Sequence, residues 1–327
     1  MSDFRPNAKP KKIDPEIASA RPGEVPDSWQ VYTNTVTHLS RFPLKAGREI
    51  GSVIQSGISK RISARNKDKT EKPPCPPTFF NGEVGRDRGF VFGSLPLDEI
   101  KRVKNHFDVT VNDVILALVG TSMREYMLSL GNLPEISLRA NIAVSLRTEE
   151  DDGFSNKVTQ TPVTLATDEL DPGTRLRAIH EESESAKQLA RSGGKGLVEF
   201  LHILPPLLIT AMVNNTPPEQ ATAMMGANFV ISNVRASDKP MYIAGARMAT
   251  MYPMSIIMSG MGINVTCVSY AGNVDFGVTI DPDMFAEPWS IIDGMEQALS
   301  DYLALCPAKK SRRVKTRPRR KAPAKKR

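Results

Sequence analysis

The 327-residue sequence has little of what builds a disulfide scaffold, a metal centre or a membrane span. Its three cysteines, Cys75, Cys267 and Cys306, are far apart and odd in number, with no CxxC spacing and no histidine cluster beside them. That pattern argues against a disulfide framework or a zinc site and fits reduced thiols in a cytosol. Histidines number four, which leaves few candidates for acid–base chemistry. The longest greasy stretch, LVEFLHILPPLLITAMV, is broken by Glu199, His202 and Pro205-Pro206 and does not suit a bilayer span. No secretory leader is expected at the start. A GxSxG elbow and a dinucleotide fingerprint are missing, and Gly193-Gly194-Lys195-Gly196 does not form a Walker loop.

What is present is a globular composition, 40% apolar and 24% charged. The net charge of +7 is unevenly placed, because twelve Lys or Arg and no acid lie between Lys309 and Arg327, and without them the body carries −5. Val314 is the single large apolar side chain of that stretch, so residues 307–327 are expected to be a disordered basic tail. Such a tail suits peripheral contact with an anionic membrane or lipid droplet. Nucleic acid competes for the same charge, but no aromatic pattern or recognition helix supports specific binding.

Residues 1–77 read as a connector, with a Pro- and charge-rich lead and an amphipathic helix carrying Ile50, Val53, Ile54, Ile58 and Ile62 on one side. RNKDKTEKPPCPP closes the connector as a linker. Residues 78–306 then alternate strand-like and helix-like segments. Around Phe90 a short strand leads to a helix with Ser94 as its expected start signal. TVNDVILALVGTSMREYMLSLG is a second helix, and Thr110 followed three residues on by Asp113 is a capping-box pattern. Two strands precede DPGTRLRAIHEESESAKQLARSGG, a helix with Leu176, Ile179, Ser183, Ala186 and Ala190 on one stripe, and residues 195–213 continue as another helix. ANFVISNV, PMYIAGARMATMYP and GINVTCVSYAGNVDFGVTID are strand-rich, the last a β-hairpin turning at Ala271-Gly272-Asn273, and a closing helix ends the domain. This order predicts an α/β sandwich of one mixed sheet covered by helices. Nine of the fourteen methionines lie between Met212 and Met261, suited to core filling first and to a lipid-lined tunnel second.

Six stretches in order carry a resemblance: the run from Pro76 through TVNDVILALVG, then AVSLRT, DPGTRLRAI, FVISNV, PMYIAGARMATMYPMS and GINVTCVSYAGNVDFGVTIDPD. From about Thr78 to Leu305 the chain resembles the C-terminal half of bacterial wax ester synthase/diacylglycerol acyltransferases. The resemblance implies a chloramphenicol-acetyltransferase-like sandwich half, one of two α/β halves with a channel between them. It also implies transfer of an acyl group from acyl-CoA, as co-substrate and with no cofactor, to diacylglycerol or a long-chain alcohol. In that family the general base is the second histidine of an HHxxxDG motif in the other half. His38, His106, His180 and His202 are each followed by the wrong residues, so no catalytic residue is expected within this chain. The expectation is a half-site confined to the C-terminal half, inactive without a chain carrying the HHxxxDG half. A noncatalytic lipid- or membrane-binding homologue is the alternative. The family places Asn112, Asp113, Ser232 and Asn233 along the channel wall. The chain departs from its SNVPGP pattern, having Arg235-Ala236-Ser237 after Val234, which loosens that loop. The expected location is cytoplasmic or at the surface of the inner membrane or lipid droplets.

Overall fold

The computed structural model describes residues 75–145, 158–193 and 215–307, together with 27, 29, 33 and 37. The expected amphipathic helix near 50–62, the helix over 195–213 and the basic tail from 309 lie outside the described residues.

Strand β1 (Gly89–Pro96) leads into helix α1 (Leu97–Phe107) and then α2 (Val111–Ser129). Strands β2 (Arg139–Ser145) and β3 (Val158–Thr164) precede α3 (Pro172–Gly193) and the short α4 (Pro218–Met225). After β4 (Phe229–Arg235) come the two-residue strands β5 (Tyr242–Ile243) and β6 (Ala246–Arg247), then β7 (Ile263–Tyr270), β8 (Asn273–Ile280) and α5 (Trp289–Ala304). One six-stranded sheet has the order β1-β8-β7-β4-β2-β3. β2, β4 and β7 pair in parallel and the remaining ladders are antiparallel, so the expected mixed α/β sheet is what forms.

The alternation of side chains along each strand gives the sheet one apolar face. Val91, Phe229, Ile231, Val265, Phe276 and Val278 are buried there beneath the helices. α2 is central: Val114 through Val119 are fully buried, because α1, α3 and α5 flank it while the sheet lies beneath. Gly120 permits that depth, since a Cβ there would stand 2.9 Å from the Leu165 carbonyl oxygen. α2 and α3 run antiparallel, as two cross-links show: Asp113 meets Ser183, and eight residues further along α2 Thr121 meets Arg175, eight residues earlier in α3. The hairpin β7–β8 turns on Ala271 and Gly272, both at positive φ, as its sequence predicts.

Two local expectations differ from the structure. Ser94 does not start a helix. It lies within β1, where its hydroxyl donates to Asp275, and Pro96 stands at the N-cap of α1 with no side-chain cap. PMYIAGARMATMYP yields only the β5–β6 hairpin. From Met248 to Ile257 the backbone runs without regular structure, tied to the sheet by Met251 N–H to Asp275 and by Tyr252 on Phe92.

Candidate functional site

The candidate site forms where α2 begins, beside the C-terminal end of β4. In open α/β sheets this strand-end position is where ligands commonly bind. Thr110 is the N-cap, and the capping box forms in full. Its hydroxyl oxygen accepts from Asp113 N–H at 3.2 Å, and the Asp113 carboxylate accepts from Thr110 N–H at 3.0 Å. Asn112, next in the same turn, is half-buried and its Oδ1 accepts from Asn233 Nδ2 at 3.3 Å. Two expected wall residues, 121 positions apart in sequence, are therefore brought together. Ser232 is not brought to them: one step earlier on β4, it alternates to the opposite face of the sheet.

Asp113 does more than cap. Its side chain is fully buried and also holds α3. Oδ2 accepts from His180 Nδ1 at 2.7 Å and from the Thr110 hydroxyl at 2.8 Å, while Oδ1 accepts from Ser183 Oγ at 2.6 Å. Lys187 Nζ lies 3.9 Å from Oδ1 and pairs with Glu184 at 2.8 Å. Burial pushes the Asp113 carboxyl upward, but the hydrogen bonds from Ser183, His180 and Thr110 outweigh it and hold the group below the usual carboxylate range. Asp113 is thus an ionised, acceptor-only group, and the nitrogen facing it must carry the proton. His180 keeps 31% of its side chain exposed, and no described residue bonds its Nε2.

The pairing of His180 with Asp113 is what reading the sequence missed. The available signal was local: Ser183, three residues after His180, sits on the buried stripe of α3 despite being polar, which calls for a polar partner within the core. Of the other histidines, His106 is exposed on α1 and rests edge-on against Phe107, and His38 and His202 lie outside the described residues.

Other chemistry finds less support. Cys75 is half-buried, and burial, offset in part by the Arg139 charge, pushes its thiol up to about 11, against a nucleophilic role. Burial likewise pushes the Cys267 and Cys306 thiols up. Among the described residues no group of three His, Cys, Asp or Glu could hold a metal, and no helix is long and apolar enough to cross a membrane.

Two family models match the chain. The wax ester synthase/diacylglycerol acyltransferase catalytic domain matches residues 9–115, and the C-terminal domain of the same family matches residues 154–302. The first corrects the expectation of a likeness confined to the C-terminal half, since the catalytic-domain match reaches back to residue 9 and ends inside α2. Residues 1–75 concealed it because they are rich in proline and charge and poor in core-forming pattern. A candidate diacylglycerol O-acyltransferase of Mycobacterium tuberculosis is 29% identical over 276 residues, covering 84% of this chain and 55% of that protein. The O-acyltransferase WSD of Acinetobacter baylyi is 31% identical over 216 residues, covering 65% of this chain and 46% of that protein. The solved wax ester synthase/diacylglycerol acyltransferase of Marinobacter aquaeolei VT8 superposes with a TM-score of 0.61 at 25% identity, over 93% of this chain and 62% of that one. That superposition bears out the chloramphenicol-acetyltransferase-like architecture. The chain spans about half the length of the curated relatives it matches.

Proposed function

Because the chain belongs to the wax ester synthase/diacylglycerol acyltransferase family, we propose that it acts in acyl transfer from acyl-CoA to the hydroxyl of a diacylglycerol or long-chain alcohol. The observation that carries this reading is the Asn112–Asn233 hydrogen bond, which joins two of the family-like stretches at the ends of α2 and β4. Two carboxamides in one contact offer spare donors and acceptors to a substrate hydroxyl or carbonyl, on a helix end that the capping box fixes in place. Acyl-CoA serves as co-substrate, and no cofactor is called for.

The HHxxxDG histidine is not among the four in this chain. On the half-site expectation, a chain carrying that motif supplies the base, and its absence forfeits about 10²–10⁴-fold in rate. Exposed Met254 and Ile256, 68% and 74% accessible, favour contact with a lipid surface, and the basic tail adds charge of the matching sign.

The experiment follows ester formation by mass spectrometry from acyl-CoA with diacylglycerol or hexadecanol. The purified chain is assayed alone and mixed with an HHxxxDG-bearing half of a family member. Ester is expected, and Asn112→Ala should lower it about tenfold or more while the fold is kept. A folded chain that yields no ester in either arrangement overturns the reading.

A further inference from the structure

We propose that strand β1 is a dimerisation edge, which pairs antiparallel with β1 of a second copy of this chain. The two edges of the six-stranded sheet, β1 and β3, are built differently. Successive residues of an antiparallel strand turn their backbone groups alternately toward the partner strand and away from it. Beside β3, the Leu165 N–H bonds the Leu138 carbonyl in register with the β2–β3 ladder, so Val158, Gln160, Pro162 and Thr164 face outward. Pro162 thus stands within that outer row, where it has no N–H to offer an incoming strand. Proline in this place guards an exposed edge against pairing.

The β1 edge has no such guard. The Leu97 N–H bonds the Gly272 carbonyl in register with the β1–β8 ladder, so Gly89, Val91, Gly93 and Leu95 bond β8. Phe90, Phe92 and Ser94 therefore turn their N–H and C=O groups outward, and no described residue bonds them. The strand carries no charge, and its proline, Pro96, stands only at the end. Phe92 is 39% exposed and forms an aromatic ledge with Tyr252 at 4.5 Å and Trp289 at 5.4 Å. A long, uncharged, apolar edge of this kind is a template for another strand.

Self-complementarity selects a second copy as the occupant. Phe90 and Ser94 lie symmetrically about Phe92 along the strand. A two-fold axis at Phe92 sets that residue opposite its own counterpart and Phe90 opposite Ser94 of the second copy, each pair exchanging both of its N–H···O bonds. The two Phe92 rings then meet as a cross-strand aromatic pair. On the other face Val91 falls opposite Gly93, which has no side chain to obstruct it. The flanks match as well. Exposed Arg86 and Arg88, with Asp87 between them, precede β1, and exposed Asp98 and Glu99 follow it. Antiparallel pairing brings the basic end of each copy to the acidic end of the other. One sheet then runs through both copies, and β8 and β7 separate its junction from β4, which carries Asn233.

The test is sedimentation velocity of the full chain over a concentration series, with Phe92→Lys and Phe92→Glu run singly and mixed. Wild type should dimerise. Each charged variant sets like charges directly opposite one another and should weaken dimerisation about 10²-fold, whereas the equimolar mixture sets Lys opposite Glu and should recover a heterodimer. Hydrogen exchange on wild type needs no variant: the Phe90, Phe92 and Ser94 amides should slow as concentration rises, while the Gln160 amide on the opposite edge does not change. A wild type that stays monomeric throughout overturns the inference, as does a dimer that persists in both folded charged variants or a mixture that stays monomeric. Slow exchange of the three amides in a monomer also overturns it, because another part of the chain then covers the edge. Where both charged variants fail to fold, the concentration dependence of exchange decides alone.

Discussion

Ser94 Oγ donates to Asp275 Oδ1 at 2.6 Å across the β1–β8 pair, where the two residues stand directly opposite in register. The other oxygen of the same buried carboxylate accepts from Met251 N–H at 2.8 Å, so one side chain ties the edge strand and the irregular 248–257 segment to the sheet. Asp275→Ala leaves Met251 N–H without its acceptor and Ser94 with only the Tyr252 hydroxyl. A loss of about 2–3 kcal/mol is expected, read as a lowered urea midpoint with the slope kept.

Gly277 lies beneath the same segment. A Cβ at that position would stand 1.8 Å from the Pro253 carbonyl oxygen, a backbone atom that cannot swing aside. Gly277→Ala should therefore cost about 2 kcal/mol or more and lift residues 251–257 from the sheet. Faster proteolytic cleavage within that segment is the second measurement.

The capping box gives an acid limb. Asp113 is held below the ordinary carboxylate range, first against burial, by Ser183, His180 and Thr110. A carboxyl depressed in the folded state stabilises fully above its unfolded value of about 4, and that contribution is lost as pH falls through the lower folded value. Stability should drop on acidification below about pH 4, and Asp113→Asn should flatten that limb in urea titrations taken at successive pH values. Thr110→Ala, which removes the cap acceptor and one donor to Asp113, is expected to cost about 1–2 kcal/mol.

Asn233 separates binding from folding. It is half-buried near the end of β4, and among the described residues its side chain bonds only Asn112. Asn233→Ala should leave the melting temperature within a few degrees while lowering acyl transfer about tenfold, the same loss as Asn112→Ala. The double variant should lose little beyond either single one, because the pair acts together.

Much of this architecture was legible in the residues. The capping box, the buried stripe of α3 and the β7–β8 hairpin follow from spacing alone, since each is a contact between near neighbours in sequence. Asn112 and Asn233 are named by family likeness, and the fold sets them in hydrogen-bond contact. What spacing does not encode is the meeting of His180 with Asp113, 67 positions away, because it depends on how α2 and α3 align when they pack. The same holds for Ser94: read locally it is a helix-start residue, and a partner 181 positions distant makes it a sheet residue instead. The catalytic-domain match over residues 9–115 was hidden for another reason, since a segment short of apolar pattern gives periodicity nothing to detect.

That long reach across β1 and β8 governs the order in which the molecule assembles. Among the described residues β1 pairs with β8 alone, a strand synthesised some 180 residues after it. Loops of that size close slowly, and an unpaired apolar strand invites association with other nascent chains in the interval. Pairing of β1 is thus deferred until residues 273–280 are made, and the β7–β8 hairpin is the template on which that strand docks.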